Sequence, residues 1–169
     1  MSAAKSFINF VNEFKEDNMK TLVVLLASFV IAIFVIKIVN KEYDLALSAR
    51  IAMSIMLCFT ALGHFLYTKG MSMMIPQFIP FKISLVYLTG IFEVLLAIGL
   101  LIPKLTVVSG WALIIFLLLM LPANVYAALH NIDFQKATID GNGVSYLWFR
   151  VPLQLLFIAW AYFSAIRFL

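Results

Sequence analysis

The sequence predicts an all-α protein, a polytopic bundle of membrane-spanning helices. Its 169 residues are 64% hydrophobic and only 12% charged, whereas a soluble domain is about half apolar and about one quarter charged. Mean hydropathy is +1.07, and runs of about 20 apolar residues, the length that a helix needs to cross a bilayer, recur along the chain. These observations exclude an ordinary soluble domain.

Five apolar runs are predicted to be transmembrane helices. Lipid offers no water to unpaired backbone groups, so a spanning segment must be a helix or a strand of a closed barrel. The runs lack the alternation of polar and apolar side chains that is typical of barrel strands. The predicted spans cover residues 21–39, 45–67, 83–102, 107–129 and 147–168.

Residues 1–20 are predicted to form an amphipathic leader. Phe7, Phe10 and Phe14 recur at helical spacing beside charged residues, a pattern typical of a helix that lies in the membrane interface. The additional transmembrane helix at 21–39 is too long, and too poor in small residues at its end, for a cleavable signal peptide. Residues 45–169 then form a membrane domain of four spans.

The connections predict which helix ends meet. Only residues 103–106 separate the third and fourth spans, so these two spans must form an antiparallel hairpin. The longer connections, 68–82 and 130–146, lie on the opposite side of the membrane, which we call the loop face. Pro76 and Pro80 interrupt an apolar stretch in the first of them, which predicts a segment that re-enters the membrane or follows its interface.

Glu93 is the most informative polar residue. It lies near the middle of the third span, about ten residues or roughly 15 Å from the loop face at about 1.5 Å per residue. An ionisable residue at that depth costs roughly 2.5 to 3.5 kcal/mol and needs a partner or water. Thr89 and Gly90 share its helix face. Glu93 is therefore predicted to exchange a proton or bind a ligand, and a structural carboxylate bonded to a neighbouring helix is the alternative.

Four further polar residues point toward the loop face and can line one pocket together with Glu93. Chance can also place these polar residues at one membrane face, because polar residues are common at helix ends. Arg150 can either snorkel to phosphates or pair with Glu93. Pro122 is expected to kink the fourth span and free a carbonyl that Asn124 can satisfy. The predicted ligand-binding residues are His64, Glu93, Asn124, Arg150 and Gln154, and the predicted structural ones are Pro76, Pro80 and Pro122.

Other chemistries have no support in the sequence. His64 and His130 stand at separate helix ends without an HExxH, a CxxC or a carboxylate cluster, so no metal site is predicted. Basic residues are spread singly and give a net charge of +4, which suits anionic lipid and not nucleic acid. The lipid bilayer is the expected partner, and Cys58 is predicted to be a small core residue.

Six short motifs surround these polar residues. They are GHF at 63–65, MIP at 74–76 followed by Pro80, YLTGIFE at 87–93, GLLIP at 99–103, LPANVY at 121–126 and RVPLQ at 150–154. In order and spacing they resemble the DoxX-like family of small bacterial integral membrane proteins, over about residues 45–168. The resemblance implies a DoxX-like four-helix core in the bacterial plasma (inner) membrane, with the span at 21–39 as an addition.

The resemblance also implies which residues act and where the loop face opens. By position, the family's polar motif residues fall on His64, Glu93, Asn124 and Gln154, with Pro76 and Pro122 shaping the backbone. The turn at 103–106 is then cytoplasmic and the loop face periplasmic, although basic residues are nearly even on the two sides. Relatives are associated with quinone-linked oxidoreductases, as small membrane subunits of thiosulfate-oxidising or terminal quinol oxidase systems, and a related group assists maturation of a periplasmic amine dehydrogenase.

Three functions are therefore expected. The first is a small membrane subunit or accessory protein of a quinone-linked redox system, whose polar pocket holds a quinone or another small lipophilic ligand. No side chain here carries electrons, so no intrinsic cofactor is expected and a redox partner supplies one. The second is a structural or assembly subunit of a larger membrane complex. The third is a transporter of small solutes or lipids, or an enzyme. A membrane protein or further copies of this chain are the expected protein partners.

Overall fold

A computed structural model describes the backbone of residues 2–168 and the side chains of residues 19–168. The chain in this range is helical, and its order is α1 (Ser2–Asn40), α2 (Leu45–Leu66), α3 (Thr68–Met73), α4 (Lys82–Leu101), α5 (Thr106–Leu129), α6 (Ser145–Tyr162) and a π-helical turn (Phe163–Arg167). Five helical segments are long and apolar enough to cross a membrane, namely Met19–Asn40, Leu45–Leu66, Lys82–Leu101, Thr106–Leu129 and Ser145–Arg167. They confirm the predicted all-α polytopic bundle.

The first helix continues through the boundary between the predicted leader and the first span. Its backbone is helical from Ser2 to Asn40 without a break. The side chains of the leader before Met19 lie outside the described residues, so its amphipathic character stays a prediction. From there on, Leu25, Ala32 and Ile36 are buried at spacings of seven and four residues, which place them on one helix face. That face packs against α2.

Local chemistry sets the helix ends that position the site. Asp44 caps α2, because its carboxylate accepts a hydrogen bond of 2.8 Å from the backbone N–H of Leu47. In the turn after α4, Thr106 Oγ1 donates to the carbonyl of Ile102 over 3.0 Å. The predicted hairpin is present, since this turn is followed at once by α5, which packs back along α4.

The four helices of the predicted core form a ring. Helix α2 packs against α4, α4 against α5 and α5 against α6, while the π-helical turn closes the ring by contacting α2 and α5. The core between them includes the fully buried residues Met53, Leu57, Leu100 and Leu113. Helix α1 lies outside the ring, against α2 and α6, and inserts Leu25 into the same core.

Cys58 is exposed, so its prediction as a core residue was wrong. The buried face of α2 follows Met53, Leu57 and Ala61 at intervals of four residues. Cys58 is one residue, and therefore about 100°, away from that face at 3.6 residues per turn. An apolar run does not reveal which of its residues face lipid, because both sides of a membrane helix are apolar.

A short helix and a long connection cover the loop face of the bundle. Gly70 of α3 is buried against the backbone of Phe134, and a Cβ atom at Gly70 would lie 1.8 Å from the Phe134 carbonyl oxygen. The rings of Tyr67 and Phe134 meet edge to face at 6.1 Å. We call α3 and residues 130–144 the loop-face cap. Whether α3 follows the membrane interface, as the sequence predicts for this connection, stays a prediction.

Candidate functional site

Glu93 and His64 face each other between α4 and α2. Glu93 Oε1 lies 3.5 Å from His64 Nε2, and the two side chains are only 10% and 14% exposed. In an apolar bundle, a carboxylic acid and an imidazole at this distance form an acid–base pair that is largely removed from water. The structure therefore gives Glu93 a partner on a neighbouring helix, and this partner is His64.

Two threonines hold the pair in place. Thr60 Oγ1 donates to Glu93 Oε2 over 2.9 Å, and His64 Nδ1 lies 3.0 Å from Thr89 Oγ1. Thr60 and His64 are one turn apart on α2, and Thr89 and Glu93 are one turn apart on α4, so each helix presents two polar side chains on one face. We call these four residues the proton cluster.

The hydrogen bonds around His64 determine which of its nitrogens faces Glu93 as a base. The carbonyl oxygen of Val86 lies 3.1 Å from His64 Nδ1 and also accepts a hydrogen bond of 2.8 Å from Thr89 Oγ1. A carbonyl only accepts, so this contact places the hydrogen of the neutral imidazole on Nδ1. Nε2, the other ring nitrogen, then faces Glu93 Oε1 as an acceptor.

Gly90 allows the close approach of α2 and α4 that builds the cluster. A Cβ atom on Gly90 would lie 2.8 Å from the Cβ atom of His64, a contact that real side chains do not tolerate. The sequence identifies Thr89 and Gly90 as neighbours of Glu93 on its helix face, and Thr60 as a neighbour of His64. It does not identify the pairing of His64 with Glu93, because residues 29 positions apart reveal no contact through helical spacing.

The other predicted ligand-binding residues lie on α5 and α6. Asn124 and Gln154 are buried, and Gln154 Nε2 donates to the carbonyl of Leu117 across the seam between the two helices. Gln154 Oε1 and Arg150 Nε are buried without a hydrogen-bond partner among the residues that the structure describes. No hydrogen bond between described residues joins this group to the proton cluster. The hydrogen bonds of the described residues thus form two separate polar groups, and the single pocket stays a prediction.

Pro122 lies inside α5. Proline has no N–H, so the carbonyl four residues earlier, that of Leu118, loses its usual helical donor. Gln154 donates to Leu117, immediately before this position. The expectation that Asn124 satisfies the break stays a prediction. Pro76 and Pro80 lie in the connection before α4, where Pro76 accepts a turn hydrogen bond of 3.1 Å from Ile79.

The loop-face cap contains a separate, shallow cavity. Its volume is about 80 Å³, and its lining includes Met74, Asp133, Asp140 and Tyr146. None of the predicted ligand-binding residues lines it. The residues that the structure describes include no group of three His, Cys, Asp or Glu side chains that could hold a metal ion.

Asp140 in the cap gives a pH-dependent prediction. The hydrogen bond from Thr138 lowers the pKa of the Asp140 carboxyl below its ordinary value of 3.8, with a smaller lowering from Lys136. Because the folded-state pKa is lowered, the charged carboxylate stabilises the cap above pH 3.8, and this contribution disappears as the pH falls through the folded-state pKa. We expect an NMR titration of Asp140 to give a pKa below 3.8.

The same titration of two variants tests the cause. Thr138→Val should raise the Asp140 pKa toward its ordinary value, and Lys136→Met should raise it less. An Asp140 pKa that is the same in Thr138→Val and in the wild type would contradict the assignment.

Comparison with known proteins yields a family but no characterised relative. A family model described as "Domain of unknown function (DUF8561)" matches residues 53–165, more than half of the chain. The match contains the proton cluster, Asn124, Arg150 and Gln154, and it begins after α1. No curated protein and no solved structure matches the chain.

Proposed function

The chain belongs to the DUF8561 family, and we propose that it is a small membrane subunit or accessory protein of a quinone-linked redox system. The observation that carries this proposal is the buried pair of Glu93 and His64 between α4 and α2. Its role is to exchange a proton with a small lipophilic ligand inside the bilayer. Its place of action is the bacterial plasma membrane.

Quinone reduction and quinol oxidation need groups that give up and take up protons. Reduction of a quinone to a quinol takes up two electrons and two protons, and oxidation of the quinol releases them. The electrons come from the cofactor of a redox partner, whereas this chain provides a proton donor and acceptor within the hydrocarbon region. A proton that moves between Glu93 Oε1 and His64 Nε2 leaves both groups hydrogen-bonded, through Thr60 to the first and Thr89 to the second. Such positioned acid–base groups typically accelerate proton transfer by about 100-fold or more.

The sequence resemblance supports the same proposal. The DoxX-like motifs contain His64, Thr89 and Glu93, three of the four residues in the proton cluster. Members of that family are associated with quinone-linked oxidoreductases. We propose that this chain shares their general role, with Asn124, Arg150 and Gln154 contributing to ligand binding.

The substitution Glu93→Gln tests the proton role. It keeps the shape and the ability to accept from Thr60 but removes the titratable proton. We expect the infrared difference spectrum on reduction of decylubiquinone, with the full chain in nanodiscs, to lose its carboxyl band. Decylubiquinol oxidation by native membranes should fall by about 100-fold.

Glu42→Gln is the matched control, because Glu42 is an exposed carboxylate between α1 and α2. It should leave both the carboxyl band and the oxidation rate unchanged. Wild-type rates and an intact carboxyl band in Glu93→Gln would show that Glu93 has no proton role.

A second function, a structural or assembly subunit, is favoured by one observation. The members of the proton cluster bond to one another across α2 and α4, so they can also join the two helices without a ligand. In that case a stoichiometric membrane partner should co-purify with wild-type and with Glu93→Gln protein alike. Loss of that partner in Glu93→Gln would count against the assembly role.

A further inference from the structure

Thr60 has one hydrogen to donate and two acceptors within reach among the described residues. Its Oγ1 lies 3.0 Å from the carbonyl oxygen of Leu57 in its own helix and 2.9 Å from Glu93 Oε2 on α4. A hydroxyl group donates a single hydrogen and accepts through its lone pairs. The two distances are nearly equal, so distance favours neither acceptor. The hydrogen of Thr60 therefore has two arrangements.

In the first arrangement, Thr60 donates its hydrogen to Glu93. Oε2 is then an acceptor, so the hydrogen of the protonated carboxyl group lies on the other oxygen, Oε1. Oε1 is the oxygen that faces His64 Nε2, 3.5 Å away, and Nε2 is the ring nitrogen that accepts. The proton of Glu93 is thus directed at His64.

In the second arrangement, Thr60 donates its hydrogen to the carbonyl of Leu57. Thr60 Oγ1 then accepts from Glu93, so the carboxyl hydrogen lies on Oε2 and Oε1 faces His64 without one. The distance of 3.5 Å between Oε1 and His64 Nε2 exceeds that of an ordinary hydrogen bond, about 2.7 to 3.2 Å. Little is therefore lost when this contact has no hydrogen, and Nε2 is available as an acceptor for another donor.

The corresponding threonine on α4 has no such choice. Thr89 Oγ1 lies 2.8 Å from the carbonyl oxygen of Val86 and 3.0 Å from His64 Nδ1. The same carbonyl lies 3.1 Å from Nδ1 and places the imidazole hydrogen there, so Thr89 donates to Val86 and accepts from His64. The hydrogens on the His64 side of the proton cluster are fixed, whereas those on the Glu93 side can change through Thr60.

We propose that Thr60 is a positioning residue that determines which carboxyl oxygen of Glu93 carries the proton. This inference rests on the proposed function and concerns the regulation of the same site. With the proton on Oε1, it lies between Glu93 and His64. With the proton on Oε2, His64 Nε2 can accept from the hydroxyl group of a quinol. In that step the O–H bond breaks, an N–H bond forms at Nε2, and the electrons pass to the cofactor of the redox partner.

Infrared spectra of the full chain in nanodiscs without quinone test the position of the proton. The carboxyl C=O band of Glu93, recorded at acid pH, is identified by its loss in Glu93→Gln. The wild type should show two components of this band, because the C=O group accepts a hydrogen bond from Thr60 in the first arrangement only. Thr60→Val keeps the side-chain shape and removes the hydroxyl, so a single component should remain. Thr60→Ser keeps the hydroxyl and should retain both components.

Decylubiquinol oxidation by native membranes tests whether the choice is used. In Thr60→Val the carboxyl proton has only His64 as a partner, so Nε2 stays occupied. The oxidation rate should fall about 10-fold, as expected for loss of one hydrogen bond at the reacting groups. The Kd for decylubiquinol should not change, because Thr60 bonds to Glu93 and Leu57. Thr60→Ser should retain the wild-type rate.

Thr68→Val is the matched control. Thr68 Oγ1 donates to backbone carbonyls, those of His64 and Phe65, and its substitution removes a hydroxyl next to the proton cluster without touching Glu93. It should leave both the carboxyl band and the oxidation rate unchanged. The melting temperature of each variant establishes that it is folded, and the two components of the wild-type band are tested without any variant of Thr60.

The outcomes separate this inference from the proposed function. A single component in the wild type, or the same spectrum in Thr60→Val, would overturn the inference. So would a failure of Thr60→Ser to keep both components, or a wild-type oxidation rate in Thr60→Val when Glu93→Gln is slow. If Glu93→Gln leaves the oxidation rate unchanged while the two components depend on Thr60, the proposed function fails and the placement of the proton by Thr60 is supported.

Discussion

His64→Leu is expected to lower the free energy of unfolding by about 3 kcal/mol or more, because it removes one partner of a buried pair. Glu93 Oε1 would lose the imidazole that lies 3.5 Å away and keep only Thr60 as a hydrogen-bond partner. The remaining carboxyl group is only 10% exposed, and an ionisable group at membrane depth needs a partner. Reversible unfolding in mixed detergent micelles measures this effect.

The double variant His64→Leu/Glu93→Leu tests why the pair exists. Replacement of a whole buried pair by well-packed apolar residues is often neutral or stabilising, so the double variant should recover most of the stability lost in the single one. Cys58→Ala, at an exposed position of the same helix, serves as the control and should change the stability by less than about 0.5 kcal/mol.

Recovery in the double variant would mean that folding does not require the pair, and that its retention has a functional reason. If His64→Leu alone is as stable as the wild type, the contact between His64 and Glu93 contributes nothing to stability. That result would contradict the assignment of the two residues as a pair. A double variant that is less stable than either single one would assign the pair a structural role, as the assembly hypothesis requires.

Gly70→Ala is expected to detach α3 from the loop connection and to lower stability by about 3 kcal/mol, at the upper end of overpacking effects. The new Cβ atom would lie 1.8 Å from the carbonyl oxygen of Phe134. This oxygen belongs to the backbone and cannot turn away as a side chain can. The whole of residues 130–144 must move, and the contact between the rings of Tyr67 and Phe134 should be lost.

Hydrogen exchange and limited proteolysis of residues 130–144 measure the detachment directly, and both should increase in Gly70→Ala. Gly63→Ala is a close control, because its new Cβ would meet only side-chain atoms at ordinary contact distances, the end of Met71 at 3.5 Å and the ring of Tyr67 at 3.9 Å. Alanine also favours the helix by about 1 kcal/mol over glycine, so Gly63→Ala should be neutral or stabilising. Equal protection of the loop in both variants would show that α3 and the loop do not depend on each other.

The predicted interaction of Arg150 illustrates what helical spacing can and cannot establish. The sequence leaves Arg150 either to snorkel to phosphates or to pair with Glu93. The structure pairs Glu93 with His64 and leaves Arg150 Nε buried without a hydrogen bond to any described residue. The depth of a residue along the bundle follows from residue counts, because every helix advances by the same rise per residue. Contacts between neighbouring helices cannot be counted in this way, because they depend on the order and rotation of the helices.

The sequence by itself determined the five spans, the tight hairpin between α4 and α5, and Glu93 as the polar residue that most needs a partner. These follow from hydropathy and chain connectivity, because a bilayer imposes the length and helical form of every segment that crosses it. Only the tertiary structure decided that the polar residues divide into a proton cluster and a second group. Helix packing made that choice, since small residues such as Gly90 bring α2 and α4 into close contact while the side chain of Gln154 bonds to α5.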